Sequence, residues 1–226
     1  MQSSSAAPAH HAPGVPPVPT VAAHFASLDV QQHAARLGMW LFLATEILLF
    51  AGLFVCYANY RFMFPDGFAA ASRHLDLTLG TINTLVLITS SFTAAMAVHY
   101  AKEAKNRQVV VMFILTILMA LGFLVIKYFE YSHKIHVGQL PGPYFTDPEP
   151  SLQVAGVPMY FTIYFLSTGL HGFHVIIGMI VLAWVGFKAN RNEFSARNYT
   201  AVELGSMYWH LVDLVWIFLF PMLYLI

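Results

Sequence analysis

Five long apolar runs, near residues 36–58, 78–100, 108–131, 158–186 and 201–225, decide what this chain can become. As a helix rising about 1.5 Å per residue, each is long enough to cross about 30 Å of hydrocarbon. A backbone facing lipid finds no water there, so it must satisfy its own hydrogen bonds, and a long apolar run does so as a helix. The sequence therefore predicts an all-α, polytopic membrane protein: a bundle of five transmembrane helices over residues 34–226. Composition agrees, because 58% hydrophobic residues, 10% charged residues and a mean hydropathy of +0.64 leave too little polar surface to clothe a soluble domain of this length.

Several function classes fall away at once. Eleven basic residues balance eleven acidic ones, so no net field draws the chain to nucleic acid. The single cysteine, Cys56, lies inside an apolar run and rules out a disulfide framework, a CxxCH haem attachment and a cysteine-based zinc or iron–sulfur site. Neither GxGxxG nor GxxxxGK[ST] occurs, so no glycine loop cradles a nucleotide phosphate. Residues 1–33 are rich in Ala, Pro and His and lack a basic segment followed by an apolar one; they read as a disordered tail, with His10 and His11 solvated in it.

Positive charge sets an orientation. With the N-terminus cytoplasmic and the C-terminus periplasmic, the inner segments hold Arg36, Lys102, Lys105, Arg107, Lys188, Arg191 and Arg197, and the outer ones Arg61, Arg73, Lys127 and Lys134. The longest connection, residues 136–150, is rich in Pro and Gly, acidic and external on this reading. No internal duplication is apparent, and five spans do not divide into equal halves, which weakens an inverted-repeat transporter reading.

Ionisable residues at bilayer depth carry the functional question. Glu46 falls near the middle of the first span, His171 and His174 near the middle of the fourth, and His210 and Asp213 near the middle of the fifth. Each of the last two pairs is spaced i, i+3 and shares a helix face, and Glu203, Ser206, His210 and Asp213 form a polar stripe along the fifth span. A charged acid at a helix centre costs about 2.5–3.5 kcal/mol on insertion, so these groups are expected to face protein rather than lipid. Two roles stand open for Glu46: proton exchange or lipid contact, and a structural hydrogen bond between helices. For the histidines the structural role is the better reading. A metal or haem held by Glu46, HxxH and HxxD is permitted by spacing, but only one intramembrane Glu is central, whereas a carboxylate-bridged di-metal bundle takes a Glu from each of two helices and ExxH from two more.

The stretches AARLGMWLFLATEILLFAGLF (34–54), INTLVLITSS (82–91), KYFEYSH (127–133), GLHGFHVIIGM (169–179) and YWHLVDLVWIFLFPMLYL (208–225) resemble subunit III of cytochrome c oxidase, in that order and at that family's spacing. The likeness is to the short bacterial form of five helices, which lacks the two N-terminal helices of the seven-helix mitochondrial form. It implies a redox-silent subunit of a haem-copper terminal oxidase of the bacterial inner membrane, in which electrons pass from cytochrome c to dioxygen and protons are pumped. Haems and copper are then expected in partner subunits I and II, none in this chain, and the subunit is expected to stabilise subunit I, support proton uptake and bind phospholipid. Relatives also accompany quinol oxidases and nitric oxide reductases, and a respiratory supercomplex is a further possible partner.

Carried over position by position, the resemblance matches Glu46 to a buried carboxylate preceded by an arginine, here Arg36, and Glu130 to the acid of the FEY stretch. It matches His171 and His174 to paired histidines, and Glu203, His210 and Asp213 to an acid, a histidine and an aspartate of the final helix. Arg36, Lys188 and Arg191 become candidate lipid-headgroup contacts, with a plain basic turn as the alternative for the loop pair. The two absent helices wall part of the family's lipid cleft, so either a neighbouring subunit supplies that wall or the cleft is open.

Overall fold

The computed structural model describes residues 21–226 and contains six α-helices and two short 3₁₀ turns. Residues 1–20, with His10 and His11 and most of the expected tail, lie outside the described residues. The helices are α1 (Leu28–Met63), α2 (Pro65–Ser72), α3 (Leu77–Lys102), α4 (Asn106–His136), α5 (Val157–Asn190) and α6 (Thr200–Tyr224). Five of them, all but α2, are long and apolar enough to cross a membrane. Each outruns or nearly matches the predicted span, because hydropathy reads the hydrocarbon part of a helix while the hydrogen-bonded spiral continues into the headgroup layer. α1 starts at Leu28, inside the segment expected to be tail, and α2 was not foreseen.

Local chemistry sets the ends. The Ser27 hydroxyl accepts the Val30 N–H at 3.3 Å and caps α1, and the Asp76 carboxylate accepts the N–H groups of Thr78 and Leu79 at 2.9 and 3.0 Å and caps α3. α5 begins after Gly156, whose φ of +95° is open to glycine at little cost, and Pro158 follows where its missing N–H is not needed. A side chain on Gly156 would overlap the Phe64 ring, and one on Gly67 would overlap the Ala155 carbonyl. The loop between α4 and α5 therefore seats directly on the elbow between α1 and α2.

α3, α4, α5 and α6 form a closed ring, each packed on the next and α6 returning to α3. Its interior holds Trp209, Trp216, Phe113, Phe123, Tyr164 and Leu219. Small residues let the backbones approach: a side chain on Gly178 of α5 would come within 2.8 Å of the Trp209 ring of α6. α1 lies outside this ring, against α5 and α6. Its buried side chains, Leu43, Phe50 and Tyr57, recur every seven residues, and Met39, Leu53 and Tyr60 pack beside them at the d-type positions of the same heptads. On the opposite flank a side chain added at Gly38 or Gly52 would meet open space, and Ala44, Thr45 and Ala58 are exposed.

Candidate functional site

Every ionisable residue singled out at bilayer depth is fully or partly shielded by the bundle, but they do not gather at one place. Glu46 of α1 meets His174 of α5: its Oε2 lies 2.8 Å from Nε2 of the imidazole. The other ring nitrogen, Nδ1, sits 2.8 Å from the Leu170 carbonyl. A carbonyl can only accept, so Nδ1 carries a hydrogen, and the Glu46–His174 bond needs exactly one proton of its own. That proton can rest on the carboxyl, giving a neutral pair, or on Nε2, giving carboxylate and imidazolium. Both side chains are mostly covered, at 17% and 10% exposure, with the Phe50 ring edge-on to His174. The docking stripe of α1 places Glu46 here, since residue 46 shares a heptad position with Met39 and Leu53.

His171, three residues earlier on α5, takes a different course. It is wholly buried between Phe123 of α4 and Trp216 of α6, with ring centroids 5.5 and 5.2 Å away, and neither of its nitrogens has a hydrogen-bond partner among the described residues. The shared face expected of the pair is thus split between two environments, because a step of three residues turns a helix by about 300° and His174 falls on the side of α1.

The polar stripe of α6 divides in the same way. Glu203 reaches α1, where Arg36 donates to its Oε2 from both Nε and Nη2, at 3.1 and 2.9 Å. Ser206, His210 and Asp213 turn toward α3: Ser206 donates to the Ala94 carbonyl at 3.3 Å, His210 Nδ1 lies 2.7 Å from the Ser91 hydroxyl, and Asp213 Oδ2 lies 3.4 Å from the Ser90 hydroxyl. The Trp209 indole donates to Ser90 at 3.1 Å and fixes that hydroxyl in place. Arg36 is a bound cation rather than a free one. At the C-terminal end of α5, Lys188 lies over the Trp184 ring and Arg191 over the Phe187 ring, each at 4.3 Å, with both aromatic rings exposed on the bundle surface.

Among the described residues Glu130 belongs to the most complete polar cluster, most of which sequence reasoning missed. Its Oε1 accepts from the hydroxyls of Tyr164 and Tyr224 at 2.7 and 2.6 Å, and its Oε2 from Lys127 at 3.0 Å. The Lys127 ammonium also lies 2.6 Å from the Tyr224 oxygen and 4.8 Å from the centre of the Trp216 ring. Lys127 and Lys134, expected in the outer segments, are instead buried side chains of α4. The available signal was their spacing: Lys127, Glu130 and Lys134 follow at i, i+3 and i+7, one face of a helix, in line with the buried residues Ala120 and Phe123.

Among the described residues no three His, Cys, Asp or Glu side chains come together as a set of metal ligands. The geometry holds one shared proton in the Glu46–His174 bond, and these polar contacts together tie α1, α3, α4, α5 and α6 to one another.

Comparison with known proteins agrees with this architecture. A family model described as cytochrome c oxidase subunit III matches residues 22–139 and 144–226. A probable cytochrome c oxidase subunit 3 of Mycobacterium leprae is 34% identical, over 84% of this chain and 86% of its own. A quinol oxidase subunit 3 of Bacillus spizizenii is 30% identical, over 88% and 92% respectively. A probable cytochrome c oxidase subunit 3 of Rickettsia bellii is 32% identical over 86% of this chain and 69% of its own. Matched by that model over nearly its whole length, this multi-pass chain belongs to the cytochrome c oxidase subunit III family, a family of oxidase-complex subunits.

Proposed function

We propose that the chain is the redox-silent subunit III of a bacterial haem-copper terminal oxidase, seated in the inner membrane with its N-terminus cytoplasmic. In this role it stabilises subunit I, supports proton uptake and binds phospholipid, while haems and copper reside in subunits I and II. The observation that carries the reading is the division of labour in the bundle. The carboxylates at bilayer depth find polar neighbours inside the chain, while one flank of α1, lined by Gly38, Thr45 and Gly52, is left uncovered. Small residues on an uncovered membrane helix suit close packing against another helix, as a subunit of a larger complex requires. Orientation gains support from the burial of Lys127 and Lys134, which leaves Arg61 and Arg73 as the outer cations opposite the inner basic set.

A metal or haem within this chain is not part of the proposal, since Glu46, His171, His210 and Asp213 point to separate neighbours. Lys188 and Arg191, stacked on exposed rings at the inner boundary, are the residues suited to a phospholipid headgroup; Arg36 is held by Glu203. Cytochrome c or quinol as electron donor is decided by the partner subunits, and relatives of both kinds are known.

Purification in mild detergent tests the proposal. A large haem-bearing subunit I is expected to co-purify, and a stable lone monomer would overturn the reading. Within the complex, Glu46→Gln removes the acid of the Glu46–His174 pair. It is expected to leave the haem spectrum unchanged and to slow proton uptake or shorten turnover lifetime; unaltered uptake and lifetime would remove Glu46 from the functional account.

A further inference from the structure

A groove of about 280 Å³ runs between α1 and α6, walled by Trp40, Leu43 and Ile47 on one side and Met207, Leu211 and Leu214 on the other, with His210 at its edge. Its walls are hydrocarbon, and only Trp40 and His210 bring nitrogen to it. Ser91 engages His210 Nδ1, and Nε2 has no hydrogen-bond partner among the described residues. His210 lies ten residues into α6, about 15 Å along its axis and so near the middle of a hydrocarbon layer about 30 Å thick.

We infer that this groove binds the ring of a membrane-dissolved quinone or quinol, with His210 Nε2 hydrogen-bonded to a ring oxygen. Depth decides the ligand class. A phospholipid keeps its polar atoms at the interface and brings only acyl chain to this level, which leaves an imidazole nitrogen unpaired at a cost of kcal/mol order. Water is disfavoured by walls that offer it fewer than the two to four polar partners it needs. A quinone carries its oxygens on an apolar body that moves within the hydrocarbon, and a single flat ring matches the size of the groove. The remaining nitrogen serves either redox form, donating to a quinone carbonyl in one imidazole tautomer and accepting from a quinol hydroxyl in the other. The exposed Trp40 side chain is a flat face for the ring. The inference concerns binding alone, involves no electron transfer in this chain, and does not depend on which donor feeds the complex.

Photoaffinity labelling of the intact complex in its native membrane tests it, with a short-chain azidoquinone as the probe and peptide mass spectrometry as the readout. Label is expected on residues 207–214 or 40–47, displaced by excess unlabelled short-chain quinone. His210→Leu is expected to reduce it about tenfold, the loss of one hydrogen bond. Leu214→Trp, which fills the groove from its exposed side and leaves His210 in place, is expected to abolish it and guards against a folding defect in the first variant. Absence of label on both segments, or label that survives both variants or the competitor, overturns the inference. So does cross-linking of a benzophenone side chain at position 214 to a neighbouring subunit in place of quinone, which would show a partner helix seated in the groove.

Discussion

At the scale of single residues, the Lys127–Glu130 pair shows how a charge survives inside a membrane bundle. Both side chains are almost fully covered, at 9% and 5% exposure, and two tyrosine hydroxyls complete the carboxylate. Removing one member leaves the other buried and unpaired, at a typical cost of about 3–5 kcal/mol, whereas removing both at similar volume is close to neutral. Lys127→Met and Glu130→Gln are each expected to destabilise the chain by that order, and the double variant to recover most of it; unfolding in graded denaturing detergent measures the cycle. In the exposed turn between α3 and α4, Lys105 donates to Glu103 at 2.6 Å and holds its carboxyl below the usual carboxylate range. A folded-state value below the unfolded one means the stabilisation is present at neutral pH and is lost as pH falls through the lowered value. Solvent screens so open a pair, so the contribution is small. Lys105→Ala is expected to return the Glu103 titration to its ordinary range, read by carboxyl carbon NMR. Legibility at this scale was uneven. Glu46, His174 and Asp213 stood out because an ionisable group in an apolar run is rare, and their turning inward followed from insertion cost. Lys127 and Lys134 did not stand out, because near a helix end a lysine reads as a cation reaching for water, and only the fold shows that α5 and α6 close over it.

Secondary-structure elements were the most legible level. All five spanning helices follow from apolar run length, since lipid leaves the backbone no other way to meet its hydrogen bonds. α2 escaped because eight residues with Gly and Asp near their start show no periodicity to read; it exists because Pro65 starts it and the α4–α5 loop packs on it. How the stripes of α5 and α6 would divide among neighbours was not readable either, since it depends on which helix stands at which angle. The turn between α3 and α4 offers a test of backbone strain. Ala104 adopts φ +55°, a left-handed conformation that a Cβ disfavours by about 1 kcal/mol. Ala104→Gly is therefore expected to stabilise the chain by a fraction of that, since glycine also gains freedom when unfolded. The same denaturing-detergent titration reads it, and a destabilised variant would show that the turn depends on the alanine methyl group.

For the molecule as a whole, α3 to α6 form a closed ring and α1 is hung on its side by one stripe. Only Leu43, Phe50 and Tyr57 of its 36 residues are buried, so α1 is held by little more than that stripe, the Glu46–His174 bond, the Arg36–Glu203 pair, the Gln32 side chain donating to the Arg197 carbonyl and the Tyr57 hydroxyl donating to the Met222 carbonyl. Local stability follows contact density. With the subunit isolated in detergent, α1 amides near residues 43–57 are expected to exchange hydrogen before those of α4 and α5, as followed by mass spectrometry; equal protection would mean the five helices open as one unit. The partners of α1 are also far along the chain: Glu46 waits for a residue 128 positions later, and Arg36 for one 167 positions later. During synthesis the first span thus enters the bilayer long before its berth exists. Until α5 and α6 have been made, neither side chain has its partner, so the seam that seats α1 closes only at the end of synthesis of this bundle.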